Sequence, residues 1–113
     1  MNGKKISTPY IENCPVTHAM TVLGSKWKIP ILWNLSIEDN LHYNELKRRN
    51  KGITNTMLTK CLRELEADKL VDRYSTGEVP PSVSYSLTPL AQTLIPTLQS
   101  LFEWGRQHME LEL

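Results

Sequence analysis

An amphipathic segment followed directly by a strand pattern constrains the fold of this chain more than any other feature. Residues 53–73 read ITNTMLTKCLRELEADKLVDR. Apolar side chains recur there every three or four residues, the spacing of one helical face; they are Leu58, Cys61, Leu62 and Leu65. Thr54 is the predicted N-cap, because its hydroxyl can accept a hydrogen bond from an unpaired backbone N–H. The segment therefore predicts a helix over 54–68 with one buried face, and a strand after it.

The opposite face of this predicted helix is polar and basic. It carries Thr54, Asn55, Thr56, Thr59, Lys60 and Arg63. Two cations suit phosphate or guanine, and short hydroxyl and amide groups suit base edges. The alternative is ordinary solvation, in which Lys60 forms an ion pair with Glu64 one turn further on. We favour contact with double-stranded DNA, because the hydroxyl-rich face would otherwise lack a purpose.

Basic residues are concentrated in one part of the chain, although the net charge is only +1. Between His42 and Arg63 there are six basic residues and one acidic residue. Local potential, rather than net charge, steers a polyanion towards a surface. We expect phosphate contacts from this region and from the base of the following hairpin, by Lys47, Arg49 and Arg73. A lysine- and arginine-rich helix that only solvates the surface is the alternative.

The composition is that of an ordinary globular domain. The 113 residues are 40% hydrophobic and 22% charged, which suits a single domain over 1–113 with a modest core. No apolar run approaches the roughly 18 residues of a membrane-spanning helix. The start, MNGKKISTPY, has no apolar stretch behind it. We therefore expect a cytoplasmic protein that has no membrane partner.

The residues that usually carry catalysis or bind metals are scattered. His18, His42 and His108 lie in three separate segments, without the spacing of a metal site or of a nucleophile and its base. Two cysteines do not make a zinc-ligand pair or a disulfide framework. The five glycines form no phosphate-binding loop. We therefore expect that the chain is not an enzyme and that it binds neither a metal ion nor a cofactor.

Further helices and a hairpin are predicted around the 54–68 helix. We expect helices over 15–24, 26–36, 44–49 and 89–109, strands over 71–75 and 83–87, and a short strand or extended entry at 41–43. Residues 1–12 lack periodicity and are expected to be a flexible arm. Pro30 is expected to delete a helical hydrogen bond and bend the second helix, and Pro96 to kink the last one.

The first and last helices are expected to differ in what covers them. The first should bury Val16, Ala19, Met20 and Leu23. The last is too apolar for a solitary terminal helix, and a symmetric dimer would bury it. The alternative is that it folds back on the first two helices, and the two arrangements can hold for different faces.

Four blocks of sequence, in a fixed order, carry a family resemblance. They read CPVTHAMTVLGSKWK, YNELKRRNKGITNTMLTKCLRELEADKLVDR, EVPPSVSYSLTPLAQTL and LFEWG. In these blocks the chain resembles the HxlR-type family of bacterial winged helix-turn-helix transcriptional regulators. The resemblance implies a mainly α, α+β fold whose terminal helices form a homodimer interface. It also implies one helix of each subunit in a major groove, with a β-hairpin wing beside it.

The wing departs from the pattern of this family. Ser82 and Ser84 stand where the family commonly has a basic and an acidic residue, and the tip carries Glu78 but no cation. Arg73, at the base of the wing, is therefore the better candidate for a phosphate contact. Pro30 also stands in a helix that is usually free of proline in the family.

Cys14 is the candidate for a switch. It precedes Pro15 and so lies at the N-cap of the first helix, where a thiolate is stabilised and the cysteine pKa falls. A protonated His18 would strengthen this effect. The resemblance implies that a cysteine here senses oxidants, aldehydes or quinones in some members, sometimes through a disulfide between subunits. The alternative is that Cys14 only packs and caps the helix.

Together these features predict a sequence-specific DNA-binding transcriptional regulator. We expect a homodimer on inverted-repeat operator DNA, switched by cysteine redox or electrophile chemistry or by a small ligand. The alternative is a winged-helix module that binds protein through its apolar terminal helix, without specific DNA binding. The near-neutral net charge and the acidic wing tip favour this alternative, and the basic face over 54–63 opposes it.

Overall fold

Five helices and a small antiparallel sheet form the part of the chain, residues 14–111, that this computed structural model describes. In chain order the elements are α1 (Pro15–Leu23), α2 (Lys28–Ile37), β1 (Leu41–His42), α3 (Tyr43–Arg49), α4 (Asn55–Ala67), β2 (Val71–Ser75), β3 (Val83–Leu87) and α5 (Pro89–Leu111). The strand order is β1-β3-β2. The predicted α+β winged-helix architecture is confirmed. The expected arm over 1–12 lies outside the described residues.

The core lies between α2, α3, α4 and the sheet. Its largest fully buried side chains are Ile31, Leu32, Leu35, Leu41, Leu46, Leu58, Leu62, Leu65, Val71 and Cys61. Burial of each large aliphatic side chain contributes about 1.5–3 kcal/mol. All four apolar residues predicted for the inner face of α4 are at most 2% exposed, so the predicted orientation of this helix is confirmed.

Both ends of α4 are fixed by local hydrogen bonds. The Thr54 hydroxyl accepts from the Met57 backbone N–H at 3.1 Å, which confirms the predicted N-cap. At the other end Lys69 has a φ of 65°. The Leu70 N–H donates to the Leu65 carbonyl at 2.9 Å, and the Lys69 N–H donates to the Glu66 carbonyl at 3.0 Å. This pair is the Schellman arrangement, and it turns the chain straight into β2.

The wing is a hairpin with a long tip. Strands β2 and β3 pair from Val71 with Leu87 to Ser75 with Val83, and β1 adds a third strand through Leu41 and Tyr85. At the tip, the Thr76 hydroxyl accepts from the backbone N–H groups of Glu78 and Ser82, each at 3.2 Å. These contacts order a tip whose residues 76–81 are all exposed.

Within one subunit, the prediction is wrong for three of the four apolar residues of α1 that were expected to be buried. Val16, Ala19 and Met20 are exposed, and only Leu23 is buried. The periodicity correctly indicated a helix, but α1 packs on its own subunit only near its C-terminal end. Its outer face is left uncovered in the single chain.

The start of α2 also differs from the prediction. The Ser25 hydroxyl accepts from the backbone N–H groups of Trp27 and Lys28, at 3.1 and 3.2 Å, but the helix begins only at Lys28. Pro30 is therefore the third helical residue, where no intrahelical hydrogen bond exists to be lost. The expected loss of a helical bond at Pro30 is wrong for this reason.

The last helix is held by hydrogen bonds at its first turn, and its C-terminal part is exposed. The Thr88 hydroxyl accepts from the Ala91 N–H at 3.1 Å and donates to the Lys69 carbonyl at 2.7 Å. One face packs inward, with Ala91 and Leu98 buried, and α5 continues through Pro96 to Leu111. Between residues 99 and 111 every residue except Gly105 is exposed, so the C-terminal part of α5 is largely uncovered by the described subunit.

Lys69 offers a test of the turn that joins α4 to the wing. A residue with a Cβ is strained in the left-handed region, whereas glycine is not. We expect Lys69→Gly to raise the free energy of unfolding by about 0.5–1 kcal/mol, measured by urea denaturation. Lys69→Ala removes the same charge but keeps the Cβ, so it should not stabilise. Equal stabilisation by both variants would contradict the strain argument.

Candidate nucleic-acid interface

The outward face of α4 forms an open groove. Burial of the opposite face turns this polar side to solvent. The groove has a volume of about 610 Å³ and is lined by Asn55, Thr56, Thr59, Lys60, Arg63 and Glu64. Five of the six α4 residues that the sequence assigned to DNA contact are therefore brought together. The sixth, Thr54, is exposed at the N-cap.

Tyr43 holds the N-terminal turn of α4 in place. Its Oη donates to the Asn55 carbonyl at 3.1 Å and lies 3.0 Å from the Thr59 hydroxyl. A phenol has one proton to donate, so the Thr59 hydroxyl donates in turn to Tyr43. The Tyr43 ring packs against the core, and its hydroxyl contacts were not predicted from the sequence. The signal was available, because a tyrosine packed on a core needs a partner for its hydroxyl.

Lys60 and Arg63 are the two cations on this groove, and neither forms an ion pair with another residue of the described range 14–111. The expected alternative, an ion pair of Lys60 with Glu64, does not form. Glu64 is instead bound to Lys28, with 2.8 Å between Nζ and Oε1. The hydrogen bond from Lys28, and to a smaller extent the charges of Lys28 and Lys60, lower the pKa of the Glu64 carboxyl.

Arg73 extends the same surface onto the wing. A second groove, of about 390 Å³, is lined by Thr59, Leu62, Arg63, Glu66, Arg73 and Tyr85. Arg63 borders both grooves, so the α4 face and the base of the wing form one surface. The tip, residues 76–82, contains Glu78 and no lysine or arginine. Cationic contact by the wing must therefore come from its base.

The basic residues of α3 border a different groove, and they differ in whether a carboxylate already binds them. Lys47 borders a separate groove of about 460 Å³, together with Arg48 and Lys51. Arg49 is already bound to the Glu38 carboxylate. A phosphate would have to compete with that carboxylate for Arg49, whereas Lys47 has no ion pair with a described residue.

Cys14 is half-exposed at the N-cap of α1, and Cys61 is buried. The Thr17 and Val16 backbone N–H groups, and to a smaller extent the Thr17 hydroxyl, lower the pKa of the Cys14 thiol. These contacts fall short of a cap hydrogen bond of normal geometry, and the expected contribution of His18 is not among the causes. Cys61 is 1% exposed and lies 3.7 Å from the Ser25 hydroxyl.

Two other kinds of site have no candidate in the described part of the chain. Between residues 14 and 111, no helix combines the length and the apolar character needed to cross a bilayer. The same range holds no group of three or more His, Cys, Asp or Glu side chains placed to bind a metal ion.

Known proteins share both the sequence and the fold. The HTH-type transcriptional regulator YybR of Bacillus subtilis, itself uncharacterised, is 42% identical over 111 residues, which is 98% of this chain and 88% of that protein. The redox regulator HypR in its reduced form superimposes with a TM-score of 0.81 at 40% identity, over 86% of this chain and 95% of that chain. Its oxidised form gives 0.77 at 42% identity, over 83% and 96%.

The family assignment follows from these comparisons. The sequence model of the family described as HxlR-like helix-turn-helix matches residues 22–113. That range includes the outward face of α4, the wing and α5. The chain therefore belongs to the HxlR-like helix-turn-helix family of DNA-binding transcriptional regulators.

Proposed function

We propose that this chain is a cytoplasmic, sequence-specific regulator that binds inverted-repeat operator DNA as a homodimer. The observation that carries the proposal is the outward face of α4, where Lys60 and Arg63 lie beside exposed Asn55 and Thr56 and form no ion pair with any residue of the range 14–111. Cations, amides and hydroxyls together on an exposed helix suit both the phosphates and the base edges of a major groove. No internal ion pair with a described residue competes for these two cations.

Each polar group of the surface has a distinct role in the proposal. Arg63 pairs with a guanine edge, and Asn55 and Thr56 approach bases from the first turn of α4. Thr54 and Thr59 hold the helix in position, because their hydroxyls already contact Met57 and Tyr43. Lys60 serves either bases or phosphates.

Phosphate contacts position the protein on the duplex in this scheme. Arg73 contacts phosphate from the base of the wing, continuous with Arg63. Lys47 contacts a neighbouring phosphate from α3, and Arg49 joins it if Glu38 releases the guanidinium. These contacts carry affinity but little sequence information.

The apolar side chains left exposed on α1 and α5 support the dimer. They are Val16, Met20, Leu90, Leu101, Phe102, Trp104, Met109 and Leu111. Large apolar side chains exposed along both terminal helices are of the kind that marks an interaction site. A twofold axis would bring the same surface of a second copy against it and would repeat the α4 face. Two half-sites about 34–36 Å apart then match the two copies of α4.

A winged-helix module that binds another protein is the second candidate. The exposed apolar part of α5 and the exposed Glu78 and Val79 at the wing tip favour it. The cations on the outward face of α4 oppose it, because they have no function in such a module. A gel-shift with promoter DNA separates the two candidates.

Cys14 is the proposed switch. HypR, described as a redox regulator, has a fold similar to that of this chain in both its oxidised and its reduced form. This similarity supports the proposal that the chain senses redox changes. Cys14 is accessible and its thiol pKa is lowered, whereas Cys61 is 1% exposed. Oxidation or an electrophile at Cys14 would change how α1 packs and thereby the distance between the two α4 helices. A small ligand would have to act in the same way, by preferring one of the two dimer geometries.

Arg63→Ala tests the reading of DNA by α4. We expect a loss of about 1–3 kcal/mol on the cognate site if Arg63 pairs with guanine, and a much smaller loss on random DNA, both measured by fluorescence anisotropy. Lys69→Ala is the matched control, because Lys69 is an exposed cation that borders neither groove of the proposed DNA-binding surface. Equal losses of affinity on both DNAs would show that Arg63 contacts only phosphate. A log–log salt slope near zero would contradict electrostatic binding altogether.

The dimer is tested by placing a charge on its proposed interface. Met20→Glu and Leu101→Glu should each shift the mass in sedimentation equilibrium from twice 13.0 kDa to 13.0 kDa, because burial of a lone carboxylate at an interface is costly. Both side chains are exposed in the single chain, so circular dichroism should stay unchanged. Val79→Glu, on the exposed wing, should remain dimeric. A wild-type chain of 13.0 kDa in solution would contradict the proposal.

The pKa of Cys14 can be measured by alkylation. Because backbone N–H groups lower it, the thiolate exists at lower pH than in a free cysteine. The midpoint of the iodoacetamide rate should therefore fall below the ordinary value of about 8.5, followed on the Cys14 peptide by mass spectrometry. In urea the same peptide should return to the ordinary midpoint, which makes the unfolded chain its own control. An unmodified Cys14 under diamide conditions that release DNA would remove it from the switch.

A further inference from the structure

One buried ammonium joins three helices behind the DNA-facing surface. Lys28, the first residue of α2, is only 5% exposed. Its Nζ lies 2.8 Å from Glu64 Oε1 on α4 and donates to the Val22 carbonyl of α1 at 3.2 Å. A buried lysine needs such partners, because an isolated charge in the interior is costly.

Glu64 occupies a different environment from its partner. Its side chain is 43% exposed, against 6% for Lys28, and it borders the same groove as Lys60 and Arg63. A carboxylate therefore stands on the surface that is proposed to meet phosphates. Its charge is compensated mainly by the Lys28 ammonium behind it, and to a smaller extent by the charge of Lys60 on the same helix.

We propose that Lys28 is a positioning residue for operator binding, which neutralises and holds Glu64 so that Lys60 and Arg63 remain free for DNA. The inference rests on the proposed function, because it requires α4 to meet DNA. Lys28 acts only through Glu64 and makes no contact with the nucleic acid.

Loss of Lys28 would harm binding in two ways. Glu64 would present an uncompensated negative charge beside phosphates, and like charges a few ångströms apart repel even in water. Glu64 would also be free to pair with Lys60, which lies four residues before it on the same helix. That pair would withdraw one of the two cations from the groove. Both effects disappear if Glu64 carries no charge.

Four variants of the full-length protein separate this role from a purely structural one. Lys28→Met should weaken binding to operator DNA by about tenfold in a dimer with two such sites. The Lys28→Met, Glu64→Gln double variant should recover to within about threefold of wild type, and Glu64→Gln alone should bind at least as well. Lys69→Met removes the same charge from an exposed position and is the matched control. The loss in Lys28→Met should also shrink as salt rises.

The outcomes are distinguishable. If the double variant binds as weakly as Lys28→Met, Lys28 acts through Val22 and the inference is overturned. If Lys28→Met does not fold, as judged by circular dichroism, Lys28→Gln keeps a donor for the Val22 carbonyl and should give the same loss and the same rescue. Binding of Lys28→Met equal to that of wild type also overturns the inference while leaving the proposed function intact. Failure of wild type to bind any DNA overturns both.

Discussion

The candidate site depends on which face of α4 is turned towards the core. Leu58, Cys61, Leu62 and Leu65 are at most 2% exposed, and each residue of a helix is turned by about 100° from the last. A helix with this face inward must therefore present Thr56, Lys60 and Arg63 to solvent. Burial of the four apolar side chains is the main contribution to this orientation, and the hydrogen bonds of Tyr43 to Asn55 and Thr59 hold the first turn in the same place.

The elements governed by local pattern were predictable from the sequence, and the surroundings of α1 were not. The N-cap Thr54 and the strands Val71–Ser75 and Val83–Leu87 follow from capping chemistry and alternation over a few residues. An apolar stripe, by contrast, indicates that a face is to be covered without identifying what covers it. Val16 and Met20 are 69% and 55% exposed, because no part of the described subunit packs over them.

Polar contacts between distant residues were the main part of the site that the sequence did not reveal. Sequence spacing suggests Lys60 as the partner of Glu64, since side chains four residues apart meet on a helix. The structure pairs Glu64 with Lys28 instead, and Tyr43 with Asn55 and Thr59. These pairs depend on how α2 and α3 pack against α4, which is set by the shape of the whole core. A one-dimensional pattern contains no information on that geometry.

The same contacts form a continuous path between Cys14, the candidate switch, and α4, the helix proposed to bind DNA. Cys14 begins α1, the Val22 carbonyl lies near its end, and Lys28 connects that carbonyl to Glu64. Contiguity alone does not establish coupling, which requires an element with two discrete arrangements. We propose that Glu64 is such an element, because it pairs with Lys28 and Lys60 lies four residues back along α4 as an alternative partner. In this proposal, a shift of α1 that moved the Val22 carbonyl would change the hydrogen bonding of Lys28 and so bias Glu64 towards one arrangement. Pairing with Lys28 would then leave Lys60 available for a phosphate or a base.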